Sequence, residues 1–213
     1  MSLERFKTIK RGGHSSLTEK KSVFIGDAVH ISSEDEAKKF IEEKRKSYRD
    51  ARHVVFAYTV GNTVRFSDDG EPQGTAGSPL LDVIKKNELS DVLITVVRIF
   101  GGILLGAGGL TRMYSSAASS ALSDAEVAFF EPYTEYKISV PYGEYRKLIY
   151  EIETGGGRVS SSSFAENVEI LFSSPSRNGG ALVSRITSVT NGKIIPQTER
   201  EYFDESYFSF GEK

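Results

Sequence analysis

Apolar and β-branched residues recur in four stretches of the first half of the chain, and each stretch predicts a β-strand. The predicted strands span residues 20–30, 53–60, 63–66 and 91–100. Gly61-Asn62 joins the second to the third, which is typical of a hairpin. The fourth, DVLITVVRIF, is apolar almost without interruption, as expected of a strand buried at the centre of a sheet.

Three helices are expected among these strands. The first follows Ser32 or Ser33, which can cap it, and begins with acidic residues at the positive end of the helix dipole. Ser78-Pro79 supplies a cap and a first helical residue for the second. The third, at 111–122, is rich in Ala and Ser and is therefore expected to lie close against a sheet.

The second half of the chain follows the order β-α-β-β-α-β, which is the ferredoxin-like plan. The chain is therefore predicted to be an α+β protein. We expect a polar lead-in at residues 1–19, an N-terminal domain at 20–132 and a ferredoxin-like C-terminal domain at 133–213.

Composition fits a soluble globular protein, with 38% hydrophobic and 26% charged residues among 213. No apolar run approaches the ~20 residues that span a bilayer, so a cytoplasmic location without membrane contact is expected. The absence of cysteine excludes disulfides, thiol catalysis and cysteine-ligated metals. The net charge of −2 gives no global basic field for nucleic acid, although residues 92–123 contain two arginines and no acidic residue.

The segment RFSDDGEPQGTAGSP at 65–79 allows two interpretations of its acidic residues. Composition favours a β-turn in which Gly70 supplies a positive φ. The alternative is Mg²⁺-assisted hydrolysis or phosphoryl transfer, with Asp68, Asp69 and Glu71 as metal ligands or base and His53 as a further candidate.

Two glycine-rich segments each precede a predicted helix, and each allows two interpretations. One is tight backbone packing at a strand-to-helix corner, and the other is a helix start that offers free amides to an anion. Neither segment is a P-loop, because no Lys-Ser or Lys-Thr follows the last glycine. Arginines flank both segments, so we expect a single phosphate-binding surface, which His53, Lys20 and Lys21 can join. The residues expected there are Arg65, Gly74, Thr75, Gly77, Ser78, Arg98, Gly101, Gly102, Gly106, Gly108, Gly109 and Arg112.

Two long segments, RFSDDGEPQGTAGSPLLDVI and DVLITVVRIFGGILLGAGGLTRMYSSA, resemble the IMPACT/YigZ family, as do KKSVFIG and DARHVVFAY upstream. The resemblance implies an N-terminal βαβ domain like the fourth domain of elongation factor G and some ribosomal proteins. It also implies a second domain like the ferredoxin-like fifth domain of that factor. Eukaryotic members of the family regulate translation by acting on the activator of a starvation-responsive kinase. The sequence departs from the family pattern at Val54, Val55 and Ile99, where aliphatic side chains replace polar ones.

Three hypotheses of function follow. The leading one is a non-enzymatic binding protein linked to translation or its regulation, which binds RNA or ribosome phosphates through the two glycine-rich loops and the arginines. The second is the Mg²⁺-dependent enzyme. The third is a protein–protein interaction module that uses the sheet of the second domain. No cofactor is expected, and the sequence does not define an oligomeric state.

Overall fold

The computed structural model describes residues 5–205 and divides into two compact units at Phe130. The first unit spans Phe6–Phe129, and the second contains the described residues from Phe130 onward. Within residues 5–205, no helix is both long and apolar enough to cross a membrane. The chain is an α+β protein, as predicted, with two sheets and five helices in the described range.

The first unit contains all four strands and all three helices that the pattern predicts. Its strands are β1 (Phe6–Arg11), β2 (Gly13–Glu19), β3 (Ser22–His30), β4 (His53–Val60), β5 (Thr63–Ser67) and β6 (Val92–Ile99). Its helices are α1 (Glu34–Ser47), α2 (Gly77–Lys86) and α3 (Gly106–Asp124).

Five of these strands form an antiparallel sheet in the order β2-β3-β6-β4-β5. The central position of β6 explains its unbroken apolarity, because both of its faces are covered. Leu93 and Val97 pack with α1 on one face, whereas Ile94 and Val96 pack with α2 and α3 on the other. The expected buried central strand is therefore confirmed.

Helix α3 lies close against the sheet, as its small residues predict. A Cβ atom added to Gly26 would lie 2.8 Å from the carbonyl oxygen of Ala117, and one added to Gly13 would lie 2.1 Å from that of Ala121. Ser15 Oγ donates a hydrogen bond of 2.8 Å to the same Ala117 oxygen. The helix and the sheet therefore meet backbone to backbone at these positions.

The expectation of a polar lead-in at residues 1–19 is wrong for its described part, which forms β1 and β2. Residues 1–4 lie outside the described range. In β2, Gly13 and Ser15 are buried while His14 and Ser16 are exposed. The inward residues are small because α3 covers them closely, so the strand lacks the apolar side chains by which strands are usually recognised.

Two helices begin earlier than predicted. Helix α2 begins at Gly77 with Ala76 as its N-cap residue, so Ser78 does not cap it. Helix α3 begins at Gly106, so the glycines of the second segment from Gly106 to Gly109 form its first turn instead of a loop before it.

The second unit follows the predicted order β-α-β-β-α-β. Its elements are β7 (Glu126–Val140, which begins in the first unit), α4 (Tyr142–Thr154), β8 (Arg158–Phe164), β9 (Val168–Pro175), α5 (Ser176–Val189) and β10 (Gln197–Glu205). The four strands are antiparallel in the order β10-β7-β9-β8. Leu148, Ile152, Leu182 and Ile186 of the two helices pack on the apolar face of this sheet.

Candidate functional site

Asp68 occupies the start of α2. Its Oδ1 accepts hydrogen bonds from the amides of Ala76 (3.0 Å) and Gly77 (2.8 Å), and its Oδ2 accepts one from Gly74 (2.8 Å). Burial alone would raise the pKa of Asp68, but these three hydrogen bonds outweigh it and hold the pKa below its ordinary value. The anion expected at this helix start is therefore a carboxylate of the chain itself.

The other residues of the first glycine-rich segment are also engaged in the fold. Thr75 Oγ1 donates a 2.6 Å hydrogen bond to the carbonyl oxygen of Pro72. A Cβ atom on Gly77 would lie 2.7 Å from the backbone of Ser67, so this glycine serves close packing. An external anion at Gly74–Ser78 would have to displace Asp68, which contradicts the prediction of an open anion site there.

Asp69 links α1 to the start of β4. Its carboxylate accepts hydrogen bonds from both terminal nitrogens of Arg45, at 2.6 and 3.0 Å, and from the Val54 amide at 2.7 Å. Burial would raise the pKa of Asp69, but the hydrogen bonds from Arg45 and Val54 outweigh it, and the pKa lies below its ordinary value. Both aspartates are thus held as carboxylates by structural partners.

The backbone of Asp69 also fixes the ring of His53. Asp69 has a left-handed φ of 45°, and its carbonyl oxygen lies 2.7 Å from His53 Nδ1. Because a carbonyl oxygen can only accept, Nδ1 carries a proton and donates to it, which fixes the orientation of the ring. Nε2 lies 3.9 Å from Glu71 Oε1.

Glu71 forms the centre of a buried polar cluster with Arg98 and Tyr114. Its Oε1 accepts hydrogen bonds from Arg98 Nη1 at 2.7 Å and from the Tyr114 hydroxyl at 2.8 Å. Burial, followed by the charge and the hydrogen-bonding of Glu71, raises the pKa of Tyr114, so the hydroxyl remains a donor. The register places His53 opposite Arg98, so the strand of His53 lies alongside that of Arg98 as the sequence-based hypothesis required.

The three carboxylates therefore do not converge. Asp68 binds amides at the start of α2, Asp69 binds Arg45, and Glu71 binds Arg98. Among residues 5–205, no group of three or more His, Asp or Glu side chains is placed to hold a metal ion. This arrangement contradicts the hypothesis of a Mg²⁺ site built from these residues.

The three arginines do not form one surface either. Arg65 lies opposite Tyr58, whose side chain packs on the α1 face. The Nε atom of Arg65 lies 3.1 Å from Oε2 of Glu34 in α1. Arg98 lies on the opposite face, with Tyr114. Arg112 is 3.6 Å from Glu19 and largely exposed. The predicted convergence is wrong because the twofold alternation of strands places Arg65 and Arg98 on opposite sides.

A cleft lies where β4, β6 and the start of α3 meet, with a volume of ≈ 360 Å³. We call it the α3 cleft. It is lined by Arg52, His53, Glu71, Pro72, Arg98, Phe100, Leu104, Leu105, Gly106, Ala107 and Leu110. The cleft thus combines the buried polar cluster with an apolar wall and a helix N-terminus.

The start of α3 differs from that of α2: Asp68 accepts from the first amides of α2, whereas no side chain among residues 5–205 accepts from the first amides of α3. Gly106, Ala107 and Gly108 are exposed, and a Cβ atom on Gly108 would meet no other atom within 4 Å. The first amides of a helix lack partners within the helix, so they are available to an anion here.

The remaining glycines of the second segment have different roles. The Gly101 amide donates to Ser22 Oγ at 3.1 Å, and a Cβ atom on Gly101 would lie 2.0 Å from the Lys21 backbone. Gly102 has a left-handed φ of 85° with open space around it, and Gly109 lies against Leu105 within α3. Gly101 is therefore a packing residue rather than a ligand contact.

Four residues of this region escaped the sequence-based selection. Tyr114 is hidden among the small residues of α3, and Arg45 lies in a basic run that is typical of a solvated helix end. Arg52 and Phe100 stand at the edges of predicted strands, without a motif of their own. The signal for Tyr114 was available in principle, because a lone tyrosine within an Ala/Ser face must be buried and needs a polar partner.

Comparison with known proteins places this chain. Residues 20–122 match the model of the Impact N-terminal domain, and residues 138–193 match that of a domain of unknown function (DUF1949). The Bacillus subtilis protein "IMPACT family member YvyE" is 34% identical over 208 residues, which cover 96% of each chain. This chain belongs to the IMPACT family.

Two further comparisons also cover most of the chain. "IMPACT family member YigZ" of Escherichia coli is 31% identical over 180 residues, which cover 82% of this chain and 88% of that protein. A solved structure titled "Crystal structure of an hypothetical protein" superposes with a TM-score of 0.61 at 27% identity and covers 93% of this chain and 98% of its own.

Val54, Val55 and Ile99, at which the sequence was expected to depart from the family pattern, lie in the hydrophobic layers. Val54 belongs to the cluster under α1, and Val55 to the cluster under α2 and α3. Ile99 packs at the edge of the α1 cluster. Aliphatic side chains therefore suit these surroundings, and none of the three lines the α3 cleft.

Proposed function

We propose that this IMPACT family member is a non-enzymatic binding protein linked to translation or its regulation, and that it binds a phosphate group of RNA or of the ribosome in the α3 cleft. The observation that carries this proposal is the uncapped start of α3 beside Arg52. Arg52 is exposed and has no ion-pair partner among residues 5–205.

The charges of the α3 cleft favour an anion. Its lining contains two arginines and one glutamate, which gives a formal sum of +1 with His53 neutral. Glu71 is committed to Arg98, so the charge of Arg52 and the positive end of α3 remain uncompensated. Arg65 and Arg112, which were predicted to join this surface, instead face Glu34 and Glu19.

The link to translation rests on the family and on the fold. The family resemblance implies domains like the fourth and fifth domains of elongation factor G, which act on the ribosome. The order β10-β7-β9-β8 in the second unit supports the ferredoxin-like part of that resemblance. Because a fold alone does not assign function, the experiment must change residues of the cleft.

The test is binding of the purified chain to ribosomes and to structured RNA across a salt series. Phosphate-driven binding weakens as salt rises. Arg52→Gln is expected to weaken binding at low salt and to lower the slope of log K against log salt by about one unit.

Arg49→Gln is the matched control, because Arg49 is an exposed arginine three residues away that does not line the cleft. It is expected to leave the slope unchanged. Equal effects of the two variants would point to general charge attraction and would overturn the assignment to the α3 cleft. Binding that is absent, or independent of salt, would overturn the phosphate proposal itself.

A second candidate function, protein–protein interaction through the second unit, is favoured by an exposed pair of aromatic rings. Tyr142 and Phe164 are 56% and 58% exposed. The rings of Tyr142 and Phe164 lie 6.2 Å apart. Exposed aromatic groups are enriched at protein interfaces. A pull-down that recovers a translation-linked protein after nuclease treatment, and loses it with Phe164→Ser, would favour this candidate over RNA.

A further inference from the structure

The α3 cleft has an apolar wall that a phosphate group alone does not need. Phe100 and Leu104 are 41% and 81% exposed, and Leu105 and Leu110 line the cleft beside them. Apolar side chains that remain exposed next to a charged cleft indicate a ligand with an apolar or planar part.

The guanidinium of Arg98 packs against the face of the Phe100 ring. The guanidinium of Arg98 lies 5.3 Å from the centroid of the Phe100 ring and 5.5 Å from that of Phe24. Such contacts between a cation and an aromatic face are attractive. Phe100 therefore offers a positioned ring that is still partly open to solvent.

Arg98 provides an observation independent of the helix start. It lines the cleft, is 5% exposed, and its buried Nε has no hydrogen-bond partner in the described range. Its guanidinium has five N–H donors, of which Glu71 takes one from Nη1. A buried cation with spare donors at the wall of a cleft is suited to an anionic group.

From these features we infer that the α3 cleft takes a single nucleotide unit. The planar base lies against Phe100 and Leu104, and one phosphate lies at the start of α3 beside Arg52. This inference rests on the proposed function and names the ligand of the same site. The cleft then binds one nucleotide, rather than several consecutive phosphates of a nucleic-acid backbone.

Size and charge both support one nucleotide rather than several. The volume of ≈ 360 Å³ lies near the lower end of the range of about 300–1,000 Å³ that is usual for small-molecule pockets. The lining has a formal sum of +1, which attracts a single anionic group but is too small to compensate a run of several phosphates. Arg65 and Arg112, which could have continued a basic track, are paired with acidic residues.

The test is titration of the full chain with adenosine monophosphate, adenosine and inorganic phosphate, followed by calorimetry and by chemical shifts of the α3 amides. The monophosphate is expected to bind more tightly than adenosine or phosphate. Phe100→Leu is expected to weaken binding of the monophosphate about ten-fold, because base stacking is lost, and to leave binding of inorganic phosphate unchanged. Phe66→Leu is the control, because Phe66 is 49% exposed and lies outside the cleft. It is expected to change the affinity for neither ligand.

A short single-stranded RNA with and without a 5′-phosphate distinguishes the source of the nucleotide. Tighter binding of the phosphorylated strand supports a terminal nucleotide of RNA, whereas binding of the free monophosphate alone supports a free nucleotide. Inorganic phosphate that binds as tightly as the monophosphate would overturn the nucleotide inference and leave the phosphate site intact. Salt-dependent ribosome binding that Arg52→Gln weakens, without any response of the cleft to the monophosphate, would also overturn the inference while the proposed function stands.

Discussion

The buried cluster of Glu71, Arg98 and Tyr114 gives the sharpest prediction for stability. Replacing Glu71 with Gln removes the negative charge but keeps an oxygen that can accept from Tyr114. Arg98 then remains a buried cation without a counter-charge. We expect the free energy of unfolding of the first unit to fall, chiefly because Arg98, whose side chain is 6% exposed, loses the negative charge that compensates its own.

The magnitude follows from the geometry of the pair. The side chains of Arg98 and Glu71 are 6% and 4% exposed, and their nearest charged atoms are 2.7 Å apart. At an effective dielectric constant of about 20, two unit charges at this separation attract by about 6 kcal/mol before desolvation is counted. Removing one partner of a buried pair costs roughly 3–5 kcal/mol in practice, and the retained oxygen places Glu71→Gln near 3 kcal/mol.

The assay must report on the first unit alone, because the chain has two compact units. Native-state hydrogen exchange of the β6 amides meets this need, since β6 lies at the centre of the sheet and opens with the whole unit. The variants are Glu71→Gln, Arg98→Met and the double variant. We expect the double variant to lose about 2 kcal/mol less unfolding free energy than the two single variants lose together, which is within the range for groups in contact.

Glu19→Gln is the matched control, because Glu19 pairs with Arg112 at 3.6 Å with side chains 34% and 67% exposed. Such a surface pair contributes about 0–1 kcal/mol. The reasoning is refuted if Glu71→Gln costs no more than this control, or if the effects at Glu71 and Arg98 simply add.

Three further predictions concern the loops and the helix starts. Asp68→Asn is expected to destabilise the first unit by about 1 kcal/mol at pH 7, as loss of a helix cap does, measured by the same exchange. Because the pKa of Asp68 is lowered from 3.8 by folding, its stabilisation is complete above the unfolded pKa and is lost as the pH falls through the folded one. The cost of Asp68→Asn should therefore shrink when denaturant melts are repeated below pH 3.8, and a cost that grows there would contradict the assigned role. Gly101→Ala is expected to lower the midpoint of thermal unfolding, because its Cβ would lie 2.0 Å from the Lys21 backbone. Gly108→Ala, which meets open space inside α3, is expected to be neutral or to stabilise by up to about 1 kcal/mol, and a loss at Gly108 as large as that at Gly101 would refute the packing explanation.

Sequence patterns were sufficient where hydrophobic periodicity dominated. The strands around β6 and the helices of the second unit follow from apolar spacing alone, because burial on one or both faces fixes that spacing. The strand β2 could not be recognised in this way. Its inward positions hold glycine and serine, since α3 approaches too closely for larger side chains.

The site was predictable by residue type but not by arrangement. The acidic and glycine-rich segments were correctly singled out as special, yet composition could not show that Asp68 fills the helix start beside it. The faces of Arg65 and Arg98 depend on the register of two different strands, which no local pattern reports. Tyr114 reaches Glu71 across 43 positions of sequence, so their hydrogen bond appears only once α3 has packed on the sheet.

The order of strands has a consequence for how the first unit folds during its own synthesis. Strand β6 separates β3 from β4 in the sheet but follows both along the chain. The β2–β3 and β4–β5 ribbons can each form early, but two-stranded ribbons are marginal in water and expose unpaired edges. At about 5–20 residues per second, the chain needs roughly 2–6 s to extend from the end of β5 at Ser67 to the end of β6 at Ile99. Throughout that interval the edges of β3 and β4 that pair with β6 in the folded sheet remain unpaired. The nascent chain is therefore most prone to pair wrongly with other strands before β6 is made.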